Sequence, residues 1–158
     1  MTSRKAPVAG GIGPSRGRMT REEVETFFAR RQQAYDSLDA AALAADYADD
    51  CVVESPMAGR IEGRATVEQV FRSLFETFVD LRVTTERLII DGDQVAQVLS
   101  REGTDIGGFM GLAATGKSFR VPAVFLFELK DRKIARERRI YDFTGVLVQI
   151  GVLKAKPV

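Results

Sequence analysis

Arg101-Glu102-Gly103-Thr104-Asp105-Ile106-Gly107-Gly108-Phe109-Met110-Gly111, with Thr115-Gly116-Lys117 shortly after, opens the stretch that decides the fold. An apolar run over residues 118–130 follows, then the turn Asp131-Arg132, then a second run over residues 134–142 that ends on Asp142. Glycines punctuate the first part, and β-branched and aromatic residues fill the second. This is the pattern of a loop feeding a hairpin of two long strands. Asp142 stands where the last strand runs out among aliphatic and aromatic neighbours, and a carboxyl desolvated in that way is a candidate for proton transfer.

Outward from this hairpin the apolar period stays at two back to residue 81. Residues 82–90 and 94–103 read as strands joined by Asp91-Gly92-Asp93, a strong hairpin turn. Before residue 81 the period is helical. Residues 20–38 place Val24, Phe27, Phe28, Tyr35 and Leu38 on one face, with Thr20 as N-cap and Glu22 and Glu23 complementing the helix dipole. Asp39 caps a short alanine-rich helix expected to carry Leu43 and Tyr47. Residues 51–54 form a strand stopped by Pro56 and a loop over residues 59–63. In residues 64–79, Val67, Val70, Phe71, Leu74, Phe75 and Phe78 follow the i, i+3, i+4, i+7 rule. A short helix over residues 144–150 closes the chain. Helices first and an antiparallel sheet afterwards define an α+β fold.

The strand over residues 118–130 is apolar on both sides: Phe119, Val121, Ala123, Phe125 and Phe127 on one, Val124 and Leu126 on the other. A sheet with one wet face alternates, so both faces are expected to be covered. Residues 1–18 carry four basic residues and little apolar periodicity and read as a disordered leader, leaving residues 19–158 as a single domain.

Composition narrows the chemistry. The 158 residues carry a net charge of +1, so no global field attracts nucleic acid or an anionic membrane. No apolar run reaches the roughly 18 residues of a membrane span. Cys51 stands alone, which excludes an intrachain disulfide and fits a reducing, cytoplasmic setting. Histidine is absent, which removes Ser–His–Asp and Cys–His catalysis and imidazole-based metal sites. Proton transfer is left to carboxylates, Tyr, Lys or water, with no metal and no cofactor expected.

Gly103-Thr104, Phe109, Gly111, Thr115-Gly116-Lys117, Lys133-Ile134, Tyr141-Asp142 and Gln149-Ile150-Gly151 together resemble the SnoaL-like branch of the NTF2-like superfamily. Tyr47-Ala-Asp-Asp50-Cys51, Pro56, Gly59 and Gly63 fit it too. The resemblance spans roughly residues 20–151. It implies a cone in which a curved antiparallel sheet wraps around three N-terminal helices and encloses an apolar pocket. It also implies a homodimer joined through the sheet and a small apolar molecule as partner. Polyketide cyclases, limonene-epoxide hydrolase and ketosteroid isomerase share this scaffold, so the fold does not name the reaction.

By the resemblance, Asp142 is the general acid/base, while its position before Phe143-Thr144-Gly145 also suits a helix N-cap. Arg101 matches an arginine that orients acids in the epoxide hydrolase. The acid two residues beyond it is Gly103 here, and Val53 and Ser55 stand at the water-holding positions, so epoxide opening is not expected. Asp105 could act as a second carboxylate if its loop folds inward. Two-residue alternation puts Arg136, Arg138 and Ile140 with Ile134 and Asp142 on one face of the last strand. Tyr47 could donate to a substrate oxygen, with Tyr35, Glu54 and Phe125 as further pocket candidates. The expected function is aldol cyclisation or isomerisation of an apolar carbonyl compound by carboxylate acid/base chemistry. The alternative is a non-catalytic ligand-binding or dimerisation module.

Overall fold

The computed structural model describes residues 17–154. The leader expected over residues 1–18 therefore lies outside the described residues except for its last two, of which Arg18 reaches Asp93 at 3.1 Å on the surface. α1 (Arg21–Asp36) begins where expected: Thr20 accepts from the Glu23 amide, and the Glu23 carboxylate accepts from the Thr20 amide at 2.8 Å. This reciprocal cap satisfies two amides that the first turn leaves open. α2 (Ala40–Ala44) is capped by Asp39 and is shorter than expected. Tyr47 does not belong to it but starts β1 (Tyr47–Ser55).

β2 (Gly59–Glu62), read as loop from sequence, pairs antiparallel with β1. Four residues at a sheet edge carry too short an apolar pattern to register. α3 (Arg64–Thr77), β3 (Arg82–Asp91), β4 (Gln94–Thr104), β5 (Ser118–Lys130), β6 (Lys133–Tyr141) and α4 (Phe143–Gln149) complete the fold. The six strands form one sheet in the order β2-β1-β6-β5-β4-β3, and only β1 and β6 run parallel. Among the described residues, no helix is long and apolar enough to cross a membrane.

The sheet curves around α1 and α3. Phe28 meets Phe127 with ring centres 5.0 Å apart, Tyr35 meets Phe71 at 6.0 Å, and Phe78 meets Phe119 at 5.1 Å. Each buried aromatic contributes on the order of 2–3 kcal/mol through removal from water, before entropy is counted. Between α1 and the sheet edge, Gln97 donates to Thr85 at 2.8 Å, Thr85 to Gln32 at 3.0 Å, and Gln32 to the Val83 carbonyl at 2.6 Å. The loop after β4 docks on the end of α3, where Ile106 and Gly107 amides donate to the Thr77 carbonyl. A Cβ at Gly107 would lie 2.3 Å from the Glu76 carbonyl oxygen, so this approach requires glycine.

Register faults decide which side chains enter the cone. β5 and β6 slip at Glu128/Leu129, and β1 and β6 slip between Tyr47 and Val52. Ile134 is buried, yet so are Glu137 and Arg139, while Arg136, Arg138 and Ile140 face out. Simple alternation from Ile134 therefore points the wrong way beyond the slip.

The Thr20 cap offers a direct check on α1. Thr20→Ala should destabilise the protein by about 1 kcal/mol, which lowers Tm by roughly 2–4 °C in thermal unfolding.

Candidate functional site

The concave face is not the apolar pocket expected from the resemblance. β6 turns Glu137 and Arg139 inward, β4 contributes Arg101, α1 supplies Arg31 and Tyr35, and Tyr47 arrives from the start of β1. Arg139 donates from Nε to Glu137 Oε1 at 2.8 Å, and the Tyr47 hydroxyl donates to Glu137 Oε2. Arg31 donates to the Tyr47 hydroxyl, to Asp46 and to the Leu43 carbonyl, each at 3.2 Å. Asp46 is held in turn by Arg30 at the surface. The guanidinium of Arg31 lies over the Tyr47 ring, and that of Arg139 lies between the Phe71 and Phe125 rings at 5.3 and 5.4 Å.

Electrostatics follow from this geometry. Burial alone would push the Glu137 carboxyl up, but Arg139, then Arg31 and the Tyr47 hydroxyl, outweigh it and hold the group below its ordinary value. Burial first, and Glu137 second, push the Tyr47 phenol well above its usual range, so it stays a neutral donor. Burial disfavours charged Arg139 as well, yet the adjoining Glu137 carboxylate raises it.

Arg101 differs from the other two buried arginines. Its residue is 7% exposed, and its guanidinium lies over the Phe125 ring at 5.9 Å and the Tyr141 ring at 5.5 Å. Arg101 stands opposite Val121 on β5, and Tyr141 opposite Ala123 on the same strand. Burial and then the nearby Arg139 charge lower its pKa, opposed by Tyr141 and Tyr35. Among the described residues no carboxylate pairs with it. Among the described residues no fully buried side-chain nitrogen or oxygen lacks a hydrogen-bond partner, and the neutral partner of the Arg101 guanidinium is the Tyr141 hydroxyl.

The other residues singled out from sequence have separate fates. Asp142 is exposed and accepts from the Gly145 amide at 2.8 Å as N-cap of α4, so the desolvated placement beside Ile134 and Ile140 is corrected. Ile140 is 48% exposed, and Arg138 faces Glu54 at 4.0 Å on the outer surface, where both are more than half exposed. The register slip puts Arg138 and Ile140 on that face, and Glu54 sits opposite Arg138 across the β1–β6 pair.

Asp105 is fully buried, but its oxygens turn into its own loop, taking the Gly108 and Thr115 amides and the Thr115 hydroxyl at 3.0–3.1 Å. Phe125, Tyr47 and Arg101 do come together on the concave face. Glu137, Arg139, Arg31 and Tyr141 were missed. Arg31 lies on the Val24-Phe27-Phe28-Tyr35 stripe of α1, where a charged residue signals a buried partner, and Glu137, Arg139 and Tyr141 form the alternate row of β6.

Glu137 should carry much of the stability of this centre. Glu137→Gln leaves Arg139 buried beside a neutral partner and should cost about 3–5 kcal/mol in urea unfolding. Because its folded pKa lies below the ordinary value of 4.5, the stabilisation is present above that pH and is lost as pH falls through the folded pKa. The loss of Tm on acidification below about 4.5 should be shallower in Glu137→Gln than in the parent.

TsrD from Streptomyces laurentii superposes with a TM-score of 0.75 at 23% identity, covering 85% of this chain and 99% of that one. AclR, a proposed hydroxylase from Streptomyces galilaeus, gives 0.75 at 20% identity and 87% of both chains. IdmH, a proposed polyketide cyclase from Streptomyces antibioticus, gives 0.67 at 24% identity, covering 80% and 97%. At these identities the likeness establishes the fold, the NTF2-like cone. No curated protein matches the chain. The sequence profile of SnoaL-like polyketide cyclases matches residues 26–150, the helices, the sheet and the arginine-lined interior alike, and the chain belongs to that family.

Proposed function

We propose that this chain takes a small, mostly apolar, carbonyl-bearing molecule into its cone and promotes ring closure or isomerisation by holding the enolate oxygen on Arg101. The observation that carries this reading is a buried guanidinium that, among the described residues, has no carboxylate to neutralise it. A fixed cation in a water-poor site stabilises charge that develops on oxygen more effectively than water does. The α-carbon gives its proton to water admitted to the cone, and the electron pair moves onto the carbonyl oxygen. Ring closure then joins that carbon to a second carbonyl, whose oxygen takes a proton back from water.

Asp46 and Glu137 are committed to arginines, Asp105 to its loop and Asp142 to capping, so none is assigned as the base. That same commitment favours a second reading, a binding module that holds such a molecule without transforming it. The two separate in one experiment. With 1-phenyl-1,3-butanedione in D2O, NMR should show exchange of the methylene protons faster than in buffer, and Arg101→Gln should lower the protein-dependent rate by about 10²–10³-fold. Binding without faster exchange leaves the binding module, and neither binding nor exchange overturns both.

The outer sheet face supports a homodimer as the working form. Val98, Val124 and Ile140 lie side by side across β4, β5 and β6, next to Ala96 and Leu126, and Leu126 is 41% exposed. Contiguous apolar surface of this kind gains by being covered. Light scattering at micromolar concentration should give twice the chain mass, and Leu126→Glu should give one. A monomeric parent overturns the dimer.

A further inference from the structure

We infer that the group seated on Arg101 is anionic, the carboxylate or enolate oxygen of a small organic acid bound as its conjugate base. This deepens the reading above, since it rests on the cone being a ligand site. The inference comes from the charges that face one another inside the cone. Arg31, from α1, is balanced by Asp46 at 3.2 Å, and Arg139, from β6, by Glu137 at 2.8 Å. Tyr35 from α1, Tyr47 from β1 and Tyr141 from β6 bring hydroxyls and no formal charge. Asp105, at the end of β4, is the third buried acid, and its oxygens are occupied by Gly108 and Thr115.

Among the described residues Arg101 is thus left as a buried cation without a counter-charge, next to the like charge of Arg139. Removing a guanidinium from water without pairing it is unfavourable, and a neutral carbonyl recovers only part of that cost. An anion recovers more, because its bond to a guanidinium is charge-assisted on both sides. The groups flanking this position on the concave face are Leu99, Phe125 and Tyr141, which suit a flat apolar body behind the charged end. The remaining polar neighbours are the Tyr141 hydroxyl, which accepts from Arg101 and keeps its own proton to donate, and the Tyr35 hydroxyl.

Benzoate and benzamide, nearly equal in shape and different in charge, test this by calorimetry on the full chain at pH 7.5 in chloride-poor buffer. Benzoate should bind about ten- to a hundredfold more tightly than benzamide, and the preference should vanish in Arg101→Gln. Equal affinity for the two overturns the anion and leaves the cone as a ligand site. Binding of neither, with the diketone still exchanged, overturns the anion alone; binding of neither with no exchange overturns the reading beneath it as well. A second measurement needs no ligand. Arg101→Met removes an uncompensated buried charge while filling much of its volume, so the Tm of the free protein should rise by roughly 2–4 °C. A fall in Tm marks Arg101 as a satisfied structural group and overturns the inference.

Discussion

Glu137 has no exposed side-chain surface, and an ionised carboxylate there is tolerable only because Arg139 and Tyr47 both donate to it. The rest of the interior is arranged around that requirement. Arg139 is then flanked by Phe71 and Phe125, Tyr47 is fixed as a neutral donor, and Arg31 spans from the Tyr47 hydroxyl to Asp46. A continuous polar line runs from Arg30 at the surface into the cone. Replacing such a line with aliphatic side chains of similar size often leaves stability unchanged or improved, so packing alone does not require it. Its consequence is positional: among the described residues the other buried charges are committed to one another or to the backbone, and the Arg101 guanidinium is left without a carboxylate.

The irregularities in strand pairing have as much influence as the side chains. A slip at Glu128/Leu129 and a bulge in β1 turn the sheet and change which row of β6 faces inward. Glu137 and Arg139 enter the cone, whereas Arg138 and Ile140 join the outer face beside Val124 and Leu126. These faults of register thus produce both the charged interior and the apolar exterior.

A shared scaffold with divergent chemistry follows from this division of labour. The helices, the hairpins and the aromatic packing form the cone, and the same packing would hold with different polar residues on the inner rows. Asp105 illustrates the point. It is as buried as Glu137, yet its bonds to Gly108 and Thr115 spend it on the loop that seats Phe109 against Phe78 and Phe143. Burial of a carboxylate is therefore no measure of its reactivity; its donors decide what it can do.

Periodicity and turn chemistry determined, from the sequence alone, the α+β class, the Thr20 and Asp39 caps, the two long hairpins and α3, because each rests on local spacing. The family was legible as well, through glycine and aspartate positions that the loops and caps require. Arg101 was singled out through the family resemblance, as the match to an acid-orienting arginine on the strand that becomes β4. The inward row of β6 could not be picked out, because alternation carries a strand's facing only as far as the next register fault, and the fault depends on pairing with β5 and β1. Tyr47 is a case of the same kind: its helix ended early, and only the pairing of β1 with β6 brought its hydroxyl to Glu137. Asp142 satisfied two local patterns, strand end and helix cap. Tertiary structure chose the cap, since the strand's last residues turn that carboxylate to the solvent side of the sheet, where the Gly145 amide is its nearest donor.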